Sequence, residues 1–163
     1  MNIRHAVLED VPGILDIYND AVRNTTATFD LREQTLEERH EWFQKYGDTY
    51  PLLVAEENGH VLGYCSLSAF REKEAYKSTA EISVYVHKDA RGKGVARTLM
   101  QTILELAPDK GFHMIVAGIT KGNDISVKLH EDFGFSFAGC LLEAGYKFNE
   151  WQDVLFYQLI LKS

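Results

Sequence analysis

The chain predicts an α/β sandwich, a mixed and mostly antiparallel sheet with helices on both faces. Three observations predict it. Asn58-Gly59 separates two apolar, strand-like runs and is a strong hairpin signal, so antiparallel pairing is expected there. Residues 80–86 alternate like a strand and lead through a basic, glycine-containing turn into a long amphipathic helix. The apolar strand 114–119 that follows completes the pattern of a parallel crossover. Taken in order, the periodicities read βααβββαβαββ. A length of 163 residues with 45% hydrophobic content suits one domain spanning 1–163 with a substantial core.

Each element has its own signal. Residues 3–7 alternate as a strand, and Asp10 is expected to cap a helix in which Val11, Ile14, Leu15, Tyr18, Ala21 and Val22 recur at helical spacing. A polar loop, 24–34, carries one aromatic, Phe29. Thr35 and Glu38 form a capping box for a second helix bearing Leu36, Trp42 and Phe43. Strands 52–57 and 61–70 flank Asn58-Gly59, and a charged loop, 71–78, leads to strand 80–86. The helix from about 94 to 107 is terminated by Pro108 and Gly111. Residues 114–119 form a strand buried on both faces, 126–133 a shorter helix stopped by Gly134, and 135–140 and 154–161 two last strands.

Composition excludes several functions. The net charge is −7, from 24 acids against 17 bases, with no run of Lys or Arg, which disfavours general affinity for nucleic acid. No apolar run reaches membrane-spanning length, and the first ten residues lack the apolar core of a signal peptide, so a soluble cytoplasmic protein is expected. Cys65 and Cys140 lie in apolar segments without a CxxC pair and are expected to be reduced, buried thiols; no metal is expected.

The most informative stretch is 80–98. Gly92 and Gly94 let the backbone approach a ligand, and the first N–H groups of the following helix point outward without intrahelical partners. Arg91, Lys93 and Arg97 add positive charge, which suits a diphosphate better than a single carboxylate. A P-loop is rejected because Val95 and Ala96 follow Gly94 where Lys-Ser/Thr is required. A dinucleotide fingerprint is rejected because Arg97 stands in place of its third glycine.

The remaining pattern, Arg-x-x-Gly-x-Ala from Arg91 to Ala96 after a strand ending in Tyr85-Val86, resembles the acyl-CoA motif of the GNAT superfamily of N-acetyltransferases, whose element order matches too. A second signal agrees: Asn123 precedes a helix on which Ser126 and His130 are four apart, followed by Gly134-Phe135. The likeness sharpens toward the phosphinothricin and methionine sulfone acetyltransferase-like branch. It is carried by Ile17-Tyr18-Asn19, Thr28-Phe29, Trp42, Ala75-Tyr76, Thr79-x-Glu81, Leu129-His130 and Lys147-Phe148-x-x-Trp151-x-Asp153.

This resemblance implies acetyl-CoA as cosubstrate, a small amine as acceptor and a homodimer. It implies Glu81 as general base and His130, where the family commonly carries a tyrosine, as donor of a proton to the departing thiolate. Cofactor contacts are implied at Val84, Tyr85 and Val86, at Arg91 to Arg97 including Val95 and Ala96, and at Asn123 and Ser126. The chemistry agrees with Glu81: amines with pKa values on the order of 8 to 10 must lose a proton to attack a thioester, and a glutamate in an apolar strand is made more basic by desolvation. Ser83 should share its face and Ile82 point oppositely. A backbone N–H of Val84 or Val86 is the expected oxyanion donor, with pantetheine lying along the strand edge.

Phe29, Arg71, Glu74 and Tyr76 are expected to form the acceptor pocket, with Arg71 holding an anionic group, although a solvated loop charge is its plainer reading. Trp42, Tyr76 and Trp151 suggest a small aromatic enclosure, with Trp151 in the core. Glu72-Lys73-Glu74 departs from the branch's commoner pattern of prolines and small or aromatic residues, which weighs against phosphinothricin itself as the acceptor and leaves related amino-acid analogues or a natural amine. Two other readings keep the same cofactor half: a protein N-terminal or lysine acetyltransferase, and a noncatalytic acyl-CoA-binding module. An exposed histidine on a capped helix is the plainer reading of His130, and an exposed edge carboxylate that of Glu81.

Overall fold

The computed structural model describes residues 1–162. Its elements are β1 (Asn2–His5), α1 (Val11–Asn24), α2 (Leu36–Phe43), β2 (Leu52–Glu57), β3 (His60–Ala69) and β4 (Thr79–Val86). They continue with α3 (Val95–Leu106), β5 (Met114–Thr120), α4 (Asp124–Asp132), β6 (Ser136–Lys147) and β7 (Glu150–Ile160). This is the expected order, and the strands lie in one sheet as β1-β2-β3-β4-β5-β7-β6. Every pairing is antiparallel except β4 with β5, the pair joined through α3.

Alternation along the strands supplies two cores. On one face Leu53, Cys65, Leu67, Ile82 and Ile115 pack under Leu99, Met100 and Ile103 of α3. On the other, Leu52, Val54 and Tyr64 meet Ile14 and Ile17 of α1. Successive side chains of β2 serve opposite cores because a strand has a side-chain period of two. Asn58 and Gly59 take φ values of +52° and +80° at the β2–β3 turn, as a tight hairpin loop requires. Thr35 and Glu38 form the expected reciprocal cap of α2.

Four expectations are corrected. Asp10 stands before α1 but its side chain caps nothing there; it accepts from the Val7 N–H at 2.8 Å and from both terminal nitrogens of Arg4, at 2.7 and 2.9 Å. A nearby guanidinium and a backbone donor outcompete the helix for that carboxylate, and with them they hold its pKa below the usual range against the opposing effect of burial. The last two strands are longer than expected and form a hairpin that turns at Phe148-Asn149, with φ values of +55° and +60°. No glycine marks that turn, which hides it from a sequence reading. Cys140 is exposed, because β6 is the sheet edge. Trp151 is 61% exposed rather than core, its ring 4.9 Å from that of Tyr146.

Candidate active site

β4 and β5 pair over three residues only, Thr79 with Met114, Ala80 with Ile115 and Glu81 with Val116. Beyond Glu81 the two strands part, while β5 stays paired with β7 as far as Thr120–Val154. A wedge therefore opens in the middle of the sheet, directly after Glu81. The His87 N–H donates toward β3, to the Leu62 carbonyl at 2.8 Å. Because N–H groups alternate sides along a strand, those of Val86 and Val84 face the wedge. The wedge is a slot walled by Ile82 to Tyr85 on one side and Ala117 to Thr120 on the other, closed by Ala27, Asn123, Ser126 and His130.

Glu81 shares the α1 and α2 side of the sheet with Ser83 and Tyr85, and Ile82 is buried on the opposite side, as expected. It is half-buried, not an exposed edge carboxylate, and burial pushes its pKa up.

His130 is 3% exposed, which excludes the plain surface reading. Its Nδ1 lies 2.7 Å from the Ser126 carbonyl oxygen, an acceptor, so Nδ1 carries the hydrogen and Nε2 is bare in the neutral ring. Burial lowers its pKa, the Ser126 carbonyl opposing this in part. Asn123 caps α4, its Oδ1 accepting from the Ser126 N–H at 3.2 Å, which leaves its amide NH2 for the slot.

From the slot a cleft of about 570 Å³ runs past Ala21, Thr25, Val86 and Ala96 to Arg91. There Gly92 and Gly94 take φ values of +75° and +80°, which L side chains rarely adopt, although a Cβ at either would meet nothing within 4 Å. These glycines therefore serve the backbone path rather than making room. The start of α3 has no side-chain cap; the first N–H to close a helical bond is that of Thr98, to Gly94. The N–H groups of Val95, Ala96 and Arg97 remain free for an anion. Arg91 pairs with Asp20 of α1 at 3.5 Å, and Arg97 with Asp132 of α4 at 2.9 Å. Lys93 is not on this cleft; it lines a separate recess with His60 and Asp89.

The loop from 25 to 34 lies over the slot, held there by residues distant in the sequence. Three successive carbonyls each take a donor from a different strand: Thr26 from the Thr120 hydroxyl of β5 at 2.8 Å, Ala27 from the Tyr85 hydroxyl of β4 at 3.2 Å, and Thr28 from the Lys147 ammonium of β6 at 2.8 Å. Lys147 is buried, and burial lowers its pKa. Tyr18 ties the loop from below through Thr28 and Asp30, its own pKa pushed up to about 12, chiefly by burial.

The four residues expected to form the acceptor pocket fall into two groups. Phe29 lies so close to Gly145 that a Cβ there would stand 2.5 Å from its ring. Arg71 and Tyr76 instead pack around Phe70, at 4.9 and 5.7 Å, and exposed Glu74 is 3.9 Å from Lys77. Nor do Trp42, Tyr76 and Trp151 make one enclosure. Trp42 belongs to an inner cluster with Tyr46 and Tyr64, at 4.8 and 5.9 Å. Buried Arg39 lies 3.6 Å over the Trp42 ring, donating to the Tyr64 hydroxyl at 2.8 Å and the Gln34 side-chain oxygen at 3.0 Å. Its spacing of three and four from Trp42 and Phe43 on α2 is the signal that could have revealed it.

Comparison with known proteins gives a consistent answer. The profile of the acetyltransferase (GNAT) domain matches residues 3–156. An L-methionine sulfoximine/L-methionine sulfone acetyltransferase of Pseudomonas aeruginosa is 44% identical over 162 residues, 98% of this chain and 94% of that one. The crystal structure of an N-acetyltransferase from Staphylococcus aureus Mu50 superposes with a TM-score of 0.96 at 48% identity, over 99% of this chain and 98% of the other. That of a GNAT superfamily phosphinothricin acetyltransferase from Sinorhizobium meliloti, in complex with AcCoA, does so at 0.94 and 34% identity, over 98% and 88%.

Proposed function

Because this chain belongs to the GNAT acetyltransferase family, we propose that it transfers the acetyl group of acetyl-CoA to the free amine of a small amino-acid-like substrate, of the methionine sulfoximine, methionine sulfone or phosphinothricin type. The observation that carries this reading is the wedge after Glu81, which puts a basic carboxylate, free strand N–H groups and an uncapped helix start along one continuous cleft.

In this reading the diphosphate rests on the N–H groups from Gly92 to Arg97, with Arg91 leaving Asp20 to face it. Pantetheine follows the open edge of β4, and the thioester carbonyl accepts from Val84 or Val86 as charge develops on it. Glu81, raised in pKa by its surroundings, takes a proton from the amine, directly or through water. The amine then attacks the carbonyl carbon, the tetrahedral intermediate collapses, and the sulfur leaves as thiolate. Asn123 and Ser126 hold the thiol end, and His130 returns a proton to it. One observation favours a second reading of His130 alone: with Nδ1 committed to the Ser126 carbonyl and its pKa lowered, it is a neutral residue that shapes the slot.

The acceptor approaches on the α1 and α2 side, between Phe29 and the loop bearing Arg71, Glu74 and Tyr76. Residues 1–163 act as one domain, and the two free cysteines suit the reducing cytoplasm. A second copy of the chain covers the β6–β7 hairpin, where Phe137, Leu141, Leu142, Tyr146, Phe148 and Trp151 are all exposed.

The test is thiol release from acetyl-CoA with phosphinothricin, methionine sulfone, methionine sulfoximine, common amino acids, polyamines and a short peptide. Turnover on the amino-acid analogues is expected. Turnover on peptide alone would move the function to protein acetylation.

A further inference from the structure

The face of the sheet turned to α1 and α2 carries a run of polar side chains next to the slot. β3 supplies Tyr64, Ser66 and Ser68, and β4 supplies Tyr85, Ser83 and Glu81, opposed as Tyr64–Tyr85, Ser66–Ser83 and Ser68–Glu81. Three of them have partners. Tyr64 Oη accepts from Arg39 at 2.8 Å, Tyr85 Oη donates to the Ala27 carbonyl at 3.2 Å, and Ser68 Oγ lies 2.8 Å from Tyr46 Oη. Among the described residues, the side chains of Ser66, Ser83 and Glu81 bond to no other group of the protein. Yet Ser66 is 2% exposed, and Ser83 and Glu81 are half-buried. Buried polar groups are nearly always hydrogen-bonded, to protein or to ordered water, so three adjoining ones without a protein partner mark a place for water.

The same three residues lie between the carboxylate and the reacting centre. Ser83 is on the wall of the slot with Ile82, Val84 and Tyr85, whereas Glu81 is not. Glu81 is still paired with Val116, below the point where the strands part. Val84, the nearer of the two oxyanion donors, is about 10 Å farther along the strand, and Ser83 is about 6.6 Å from Glu81 on the same face. Direct proton transfer needs heavy atoms about 2.6–3.2 Å apart, and one bridging water extends that reach to about 5.5 Å.

Resting on the acetyl-transfer reading above, we propose that Ser83 and Ser66, opposed on paired strands, hold the water through which Glu81 deprotonates the amine. The water accepts a proton from the acceptor's ammonium group, whose nitrogen keeps the electron pair for attack on the thioester carbonyl. It passes one of its own protons to a Glu81 oxygen, and both serines end as they began. Each hydroxyl offers one donor and two acceptor positions. With Glu81 they give the water about three partners, the usual number for a buried water, before the amine arrives. Glu81 remains the base, and the serines position what it acts on.

Kinetics of Ser83→Ala, Ser66→Ala and the double variant, on an amine that the turnover panel identifies, test this. Each single variant is expected to lower kcat about tenfold, the worth of one hydrogen bond lost in the transition state, with KM for acetyl-CoA unchanged. Because both hydroxyls serve one water, the double variant should fall little further than either single one, not by their product of about a hundredfold. The low-pH fall of kcat/KM persists in all three, since the base is still Glu81. Ser83→Thr, which keeps the hydroxyl, restores the rate. A serine with a merely structural role would move thermal stability without producing that non-additivity or that rescue. A kcat in Ser83→Ala within about twofold of the unaltered protein, or multiplying losses in the double variant, overturns this site and leaves the acetyl-transfer reading standing, because Glu81→Gln tests that reading by itself. Absence of turnover with every amine of the panel overturns both.

Discussion

In the proposed reading, the donor side and the acceptor side of this molecule are built by opposite means. On the donor side the ligand-facing groups are largely backbone: strand N–H groups freed where β4 leaves β5, and helix N–H groups left uncapped at the start of α3. They come from one contiguous stretch, and backbone conformation announces itself through glycine and periodicity. On the proposed acceptor side the groups are side chains drawn from two separate segments, loop 25–34 and the loop after β3. Nothing local marks them as neighbours. A contiguous backbone site is legible in a sequence, whereas a pocket assembled from distant segments is not.

Removing the proposed base at the boundary between the sides sharpens that contrast most. Glu81→Gln is expected to lower kcat by about 10²–10⁴-fold, the usual worth of a general base, while CoA affinity by calorimetry stays within about twofold. Retained turnover would detach the chemistry from the wedge. Gly94→Val acts on the donor side alone. Forcing a side chain into φ +80° costs at least ~1–2 kcal/mol and bends the path of the cradle, so KM for acetyl-CoA should rise roughly tenfold with KM for the amine unchanged. Equal rises in both would break the separation of the two sides.

The smallest effect concerns pH. As the proposed base, Glu81 would work ionised, and burial raises its pKa, so kcat/KM is expected to fall as pH is lowered through a value above that of a free glutamate. His130, as a proton donor, works protonated; burial lowers its pKa, so the rate would fall again as pH climbs past a value below that of a free imidazole. His130→Gln should then change kcat severalfold and abolish the high-pH fall. A wild-type profile that only rises and levels off would assign His130 the neutral, slot-shaping role.

Particular residues show how far local signals reach. Asn58-Gly59, the Thr35–Glu38 box and the Gly92–Gly94 turn are legible in the sequence because each depends on a few consecutive residues. The β6–β7 turn at Phe148-Asn149 carries no such signal because it reaches positive φ without glycine, and Trp151 is exposed because it lies on β7 before Val154, where the pairing with β5 ends and the hairpin is two strands wide. Asp10 failed as a cap because Arg4 lay within reach, which only the pairing of β1 with β2 and its turn into α1 arranges.

By itself the sequence determined the order of elements, the parallel crossover through α3, the glycine turn at its start and the strand that carries Glu81. All of these follow from backbone periodicity and dihedral preference, which act over a few residues. Only the tertiary structure decided that β7 inserts between β5 and β6, that three carbonyls of loop 25–34 are pinned over the slot, that His130 is buried with Nδ1 occupied, and that Arg97 and Lys128 meet at Asp132. Those contacts join residues far apart in the chain, and which distant groups meet is set by the packing of the whole sheet and its helices.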